Sequence, residues 1–437
     1  MKKLVMLFVS FSLFFPPLMG EEKGEWTLEQ VFSKVLRENE FVLSAEREVD
    51  IARAVRRGAY SAVVPNANFA ARLTRYGERQ AFDLGEGDSF EIIPQTDWNY
   101  IVNVRQVLFA GGRTWRALKY TGNLEEMAER SNLRVRQDVL LLVSAAYLAI
   151  IKAQENLEIS RKSYELAQRQ LRTASSLFRA GESIRTSVLR AEVNVSRSER
   201  DIIVSQNRLN KAREDFATIS NIRGEYILSP VETRAVPEGD IEELVSRAME
   251  NREEMEMVAL QLTNADLNVK IQRGERFPVL TADFNYVRQK SDFPTSSWYN
   301  FVLGFSIPVF DGGEIGAKVE VAKQEKAQVL LEKSALEKRI REEVTLAYLD
   351  LQDILRAIEV LETEVELSRL SYEDISRLFA AGEATDLDIL EADRSMINAE
   401  RLLAILLNDR ILANFSLQNS IGIFARDQIE EEMRHAR

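Results

Sequence analysis

Two periods of apolar residues divide this chain. Apolar residues recur at steps of four and three at Val139, Val143, Ala146, Ile150, Ala153 and Leu157. The same ladder returns at Ile340, Val344, Ala347, Leu351, Ile354, Ile358, Leu361 and Val365. A sustained four-three alternation is the seam of helices that pack side by side as in a coiled coil. Neither ladder contains Pro or Gly, so the pattern predicts long unbroken helices. A helix running from Arg113 to Arg179, about 67 residues at 1.5 Å rise, would be roughly 100 Å long. Each ladder stops at nearly the same six letters, "LFRAGE" at 177–182 and "LFAAGE" at 378–383. Gly181 and Gly382 can take the left-handed conformation that ends a helix, and a second amphipathic pattern comes after each. These hexapeptides, with Glu182 and Glu383 beside the glycines, are expected to be the tips of two long helical hairpins.

Ahead of each helical ladder the period changes to two. In "WYNFVLGFSIPVF" (298–310), Tyr299, Phe301, Leu303, Phe305 and Ile307 fall on one face, and Asn300, Gly304 and Ser306 on the other. "VLTADFNYVRQ" (279–289) alternates in the same way, and "NANFAARLTRY" (66–76) with "WNYIVNVRQVLF" (98–109) form the corresponding pair earlier in the chain. About ten residues suffice for a tilted strand to cross a bilayer. The apolar face is therefore expected to contact lipid, and Asn300 and Ser306 a lumen. Four strands cannot close a barrel, and an open edge in lipid leaves backbone groups unpaired. The chain must therefore assemble: two copies give eight strands, and three give twelve with room for a lumen. The stretch 77–97, long and acidic, is expected to be a loop on the extracellular side.

The two halves are copies of one unit. Gly111-Gly112 returns as Gly312-Gly313, "AYL" at 146–148 as "AYL" at 347–349, and "VLRAEVNVSRSER" (188–200) as "ILEADRSMINAER" (389–401), all offset by 201. Before the strands the offset is 213, matching Pro65 to Pro278. One register held over so many positions is a tandem repeat. The expected organisation is a first repeat over 21–224, with strands at about 62–77 and 96–109 and a hairpin at about 113–222. A linker at 225–239 carries two prolines, and the second repeat covers 240–437, with strands at about 278–290 and 298–310 and a hairpin at about 314–422.

Composition narrows the function. Met1-Lys2-Lys3, an apolar run from Leu4 to Phe15 and small Gly20 before Glu21-Glu22 read as a signal peptide over residues 1–20. The chain has no cysteine, which removes disulfides, thiolate metal sites and a lipid-modified N-terminal cysteine. Its one histidine, His435, lies near the end, so the usual nucleophile–base constellations have nothing to build on. "LGEGD" at 84–88 lacks the third glycine and following helix of a dinucleotide site. No catalytic site, cofactor or metal is expected. A net charge of −12, or −14 once Lys2 and Lys3 are removed, argues against a nucleic-acid partner. After the leader, no apolar segment is long enough for a transmembrane helix, which leaves a β-barrel open.

The duplicated unit resembles the TolC-like outer-membrane efflux protein family. The residues that carry the resemblance are "TLEQVFSKVLRENE" near the start, "ARAVRRGAYSAVVPNANF", the strand-to-helix "PVFDGG", and the two hairpin tips. The resemblance implies an α+β membrane protein: a homotrimer with a twelve-stranded transmembrane β-barrel, four strands per chain, continued by a long periplasmic α-helical barrel with a mixed α/β girdle. It implies an outer-membrane exit duct of a tripartite pump or type I secretion system, joined to a periplasmic adaptor and an inner-membrane transporter. A periplasmic coiled-coil scaffold is the alternative, though it gives no reason for bilayer-length strands with one aromatic face. By the same resemblance, Asp388 and Glu391 in "TDLDILEAD" match an acidic pair at the pore entrance, and Gly181, Glu182, Gly382 and Glu383 lie where an adaptor docks. Acidic residues in a helix's first turn also favour its dipole with no channel role. The repeat carries Ser187 and Arg190 at the equivalent sites. The family's Asn-Pro after the first helix is missing, since Asn39 precedes Glu40 and Asn251 precedes Arg252. A local turn is thereby in question.

Overall fold

The computed structural model describes residues 24–78, 80–83, 89–231, 235–290 and 296–435. The expected signal peptide and the "LGEGD" stretch lie outside them. The chain runs β1 (Gly24–Trp26), α1 (Leu28–Glu38), α2 (Glu40–Ala59), β2 (Asn66–Arg75), β3 (Gln80–Asp83), β4 (Ser89–Ile93), β5 (Thr96–Ala110), α3 (Arg113–Ala180) and α4 (Arg185–Ser220). It continues through β6 (Tyr226–Leu228), α5 (Ile241–Asn251), α6 (Glu253–Gly274), β7 (Val279–Gln289), β8 (Ser297–Ser306), α7 (Glu314–Ala380), α8 (Asp386–Ile421) and α9 (Arg426–His435).

The helices α3 and α7 are 68 and 67 residues long, so each spans roughly 100 Å. Their return arms, α4 and α8, have 36 residues each and reach about half as far. The remaining half of α3 packs instead on α2 and α6, and that of α7 on α6. Apolar seam residues are buried along the way: Val139, Val143, Ile150 and Leu157 in the first repeat, Ile340, Val344, Leu351 and Ile358 in the second. Halfway along, β1 and β6 form a short parallel pair over α3. The Tyr147 hydroxyl is 2.8 Å from the Trp26 carbonyl and 2.7 Å from that of Ser229, which ties this girdle to the helix. Burial holds the phenol well above its usual range.

The missing Asn-Pro does not prevent the turn. Asn39 is extended between α1 and α2, and its side chain accepts from Phe41 N (3.0 Å) while donating to the Ile219 carbonyl (3.0 Å). Glu40 occupies the first helical position, where proline would save an unused N–H and an acid favours the dipole. In the second repeat Arg252 makes the same break. Buried to 3 % exposure, it ion-pairs with Glu254 (2.6 Å) and Glu343.

Four strands form one antiparallel sheet in the order β2-β5-β7-β8. Three boundaries differ from the sequence expectation. The first strand starts at Asn66 instead of about 62, because Tyr60–Ala62 is a 3-10 turn and Pro65 has no N–H to donate. The stretch 77–97 is more than a loop, since β3 and β4 pair within it. The last strand ends at Ser306 rather than near 310, so Ile307 falls just beyond it. Ser306 pairs with Val279, the first residue of β7, and among the described residues no strand pairs with 307–311.

Candidate functional site

Period-two alternation gives the sheet two unlike faces. Opposed residues share a face, so the register collects Tyr299, Phe301, Leu303 and Phe305 of β8 with Tyr286, Phe284, Ala282 and Leu280 of β7. Val102 and Val104 of β5, and Phe69 and Ala67 of β2, continue the same rows. Leu303 is 62 % exposed, and Tyr299, Phe301 and Phe305 are as open. Ile307 is exposed too, outside the strand. Aromatic rings gather toward the outer end, where Phe69 and Trp98 both stack on Tyr100 with centroids 6.4 Å away. The opposite face is hydrogen-bonded. Asn103 donates to Asn285 (2.7 Å), Asn285 to Asn300 (2.9 Å), and Arg105 pairs with Asp283 (2.6 Å). A sheet with a bare aromatic side and a polar side fits a wall between hydrocarbon and water.

At the far end stand the hairpin tips. Gly181 (φ 79°) and Gly382 (φ 76°) are both left-handed, and Glu182 N and Glu383 N each donate 2.9 Å back to Leu177 O and Leu378 O. These bonds satisfy carbonyls that a helix end leaves orphaned. A Cβ at Gly382 would meet nothing within 4 Å, so its conformation alone requires glycine. Replacing Gly382 with valine is expected to strain the turn by about 1–2 kcal/mol. Export through intact cells should fall while assembly, read by native gel, is unchanged. Normal export by this variant would leave the turn without a role.

Asp388 and Glu391 are both exposed near the start of α8. The structure gives Asp388 a local duty. Its carboxylate accepts from Thr385 N (2.9 Å) and Oγ1 (2.6 Å), a reciprocal cap on α8. Those bonds hold the carboxyl below its ordinary range. Glu391 borders a groove between α4 and α8 that also includes Arg190 and Leu387. Arg190 pairs there with Asp386 (3.0 Å), linking the two hairpins close to their tips.

One acid was hidden in the seam. Asp393 is 3 % exposed between Ile389 and Ile397 on α8, facing Gln170 of α3 and Tyr372 of α7, with Arg394 beside it. Burial pushes its carboxyl from 3.8 up to about 6, against the opposing pull of Gln170. The folded hairpin thus disfavours the ionised form and loses stability as pH rises from about 4 through 6. At roughly 1.4 kcal/mol per unit, the loss approaches about 3 kcal/mol. Asp393→Asn is expected to slow hydrogen exchange of α8 at pH 7.5 and leave it unchanged at pH 4. Equal effects at both pH values would remove Asp393 from this account.

Among the described residues, no helix is long and apolar enough to cross a membrane, and no cluster of acids or histidine could hold a metal ion. Strands that present an apolar face at bilayer length, borne on periplasm-length helices, define a channel-forming outer-membrane protein. The model of the family described as "Outer membrane efflux protein" matches residues 31–221 and 244–423, one segment in each repeat, and the chain belongs to that family. It is 22 % identical to the outer membrane protein TolC of Vibrio cholerae, over 98 % of this chain and 97 % of the relative. It is 21 % identical to the outer membrane efflux protein BepC of Brucella suis, over 77 % and 75 %. Among solved structures, a CusC channel superposes with a TM-score of 0.80 at 18 % identity, covering 90 % of this chain and 92 % of the other. The protein is an outer-membrane exit duct for efflux with its helices in the periplasm, and the scaffold alternative is set aside.

Proposed function

We propose that three copies close a twelve-stranded barrel, and that the duct passively conducts solutes delivered by an inner-membrane transporter through a periplasmic adaptor. The single observation that carries this is the four-stranded sheet with two unlike faces, whose edge strands β2 and β8 have no second strand partner among the described residues. Successive strands alternate in direction, so β8 of one copy meets β2 of the next antiparallel and the ring stays antiparallel throughout. In this reading Tyr299, Phe301, Leu303 and Phe305 contact lipid, and Asn300 and Ser306 face the lumen. Three copies leave an open lumen, whereas eight strands would fill with side chains. Exposed Phe178, Ile184, Leu378 and Leu387 surround the tips at Gly181, Glu182, Gly382 and Glu383, and supply an apolar surface for the adaptor. Native mass spectrometry of the detergent-extracted outer-membrane protein tests the assembly. Three chains are expected, and two would overturn the proposal.

Asp388 and Glu391 stand three apart, on one face of α8. With three copies, six carboxylates ring the periplasmic entrance, a field that attracts cations. Asp388→Ala with Glu391→Ala is expected to lower cation selectivity in single-channel recordings and to relieve block by multivalent cations. Unchanged selectivity would leave Asp388 its capping duty alone.

A further inference from the structure

We propose that β8 and the five residues after it, 307–311, pair with β2 of a second copy in the register that β5 uses toward β7, with Gly304 opposite Arg72 and Ser306 opposite Ala70 of that copy. The proposal rests on the ring closure above and specifies its joint.

The two strand hairpins of the chain are copies in register. Asn66 opposes Arg105 in the first and Val279 opposes Ser306 in the second, related by the same shifts of 213 and 201 that align the repeats. The joint between the hairpins is β5 against β7, where Asn103 opposes Asn285, Arg105 opposes Asp283, Val107 opposes Thr281 and Ala110 opposes Val279. Applying the same shifts carries these pairs to Gly304 with Arg72, Ser306 with Ala70, Pro308 with Asn68 and Asp311 with Asn66. The joint used once inside the chain is then used again between chains.

Three further observations agree. First, β5 has 15 residues and β8 has 10. The additional end of β5, 106–110, has no partner on β2 and pairs only with the start of β7. Its counterpart, 307–311, has no strand partner among the described residues, and Val309 and Phe310 are 93 % and 89 % exposed against 52 % and 47 % for Leu108 and Phe109. Second, Gly111 is buried against Gly274 and Phe277, whereas a Cβ placed at its counterpart Gly312 would meet nothing within 4 Å. The counterpart of Phe277 is Val64, exposed beside β2 and free to cover that corner on the next copy. Third, the register keeps the faces, setting Phe305 opposite Ala71 and Leu303 opposite Leu73. Pro308 falls next to the bulge that β5 carries at Val107–Phe109, a position that tolerates a missing N–H. The competing register lays the two ten-residue strands end to end, Ser306 on Asn66 and Ser297 on Arg75. It also keeps the faces, but it leaves Val309 and Phe310 bare.

The cysteine-free chain makes the test direct. Four double variants of the full-length protein are oxidised in outer membranes: Ser306→Cys with Ala70→Cys, Phe305→Cys with Ala71→Cys, Ser306→Cys with Asn66→Cys, and Phe305→Cys with Ala67→Cys. One pair lies on each face, because neighbouring positions alternate between wide and narrow pairs. Opposed Cβ atoms lie about 5 Å apart, while a slip of four residues separates them by roughly 13 Å. Covalent oligomers are expected from the Ala70 or Ala71 variants in at least about tenfold excess over the Asn66 and Ala67 variants. Preference for Asn66 or Ala67, or no cross-link from any assembled variant, overturns the register. The largest covalent species separately counts the chains. A ladder that stops at two refutes the trimer and leaves the register standing.

Discussion

Arginine at Leu303 is expected to destabilise the membrane-inserted protein by about 2–4 kcal/mol, and arginine at Asn300 by far less. The two residues lie three apart on one strand and differ in the face they take. Leu303 sits in the apolar row with Ala282, near the middle of β8, and with that row against lipid, as proposed, a guanidinium there would be held in hydrocarbon. Asn300 sits among hydrogen-bonded Asn285 and Asn103, where water can reach a new charge. Urea unfolding in lipid vesicles checks the difference. Equal tolerance at the two positions would refute the assignment of faces.

Alanine at Gly111 is expected to cost more than about 3 kcal/mol. Gly111 turns β5 into α3 with φ 63°, and a Cβ there would lie 2.4 Å from the Gly274 carbonyl and 2.8 Å from Phe277 Cβ. Strained backbone and a collision with main chain act together, and neither neighbour can swing away. The same change at Gly181, whose φ is also positive, meets nothing within 4 Å and should cost only the conformational part of about 1–2 kcal/mol. The yield of folded protein in the outer membrane, compared between the two variants, decides. Equal yields would mean that the joint between strand and helix has room the structure does not give it.

How much of this was legible depends on the kind of signal each element leaves. The long helices were readable from the seam at Ile340, Val344, Ala347 and Leu351, because packing on neighbours requires it. The strands were readable from alternation, since each face meets a different solvent. The end of β8 was not, because Ile307 and Val309 continue the alternation while pairing stops at Val279. Alternation reports solvent, and only a partner strand reports pairing. The hairpin of β3 and β4 was hidden in an acidic stretch too short for periodicity to show. The girdle rests on Tyr147 reaching two carbonyls distant in sequence, which no local pattern records. Asp393 did leave a signal, an acid at a seam position between Ile389 and Ile397. A search for apolar seam residues passes over it. Asp386 likewise became informative only when folding brought Arg190 within 3.0 Å.

If this chain builds a conducting wall, ion current through the purified protein in planar bilayers shows it most directly. Discrete, uniform conductance steps are expected, reduced when a trivalent cation is added on the side of the helices. The Asp388→Ala, Glu391→Ala variant should give steps that the same cation no longer reduces. Bilayers that stay silent for both proteins, although protease protection shows the oligomer inserted, would contradict the account.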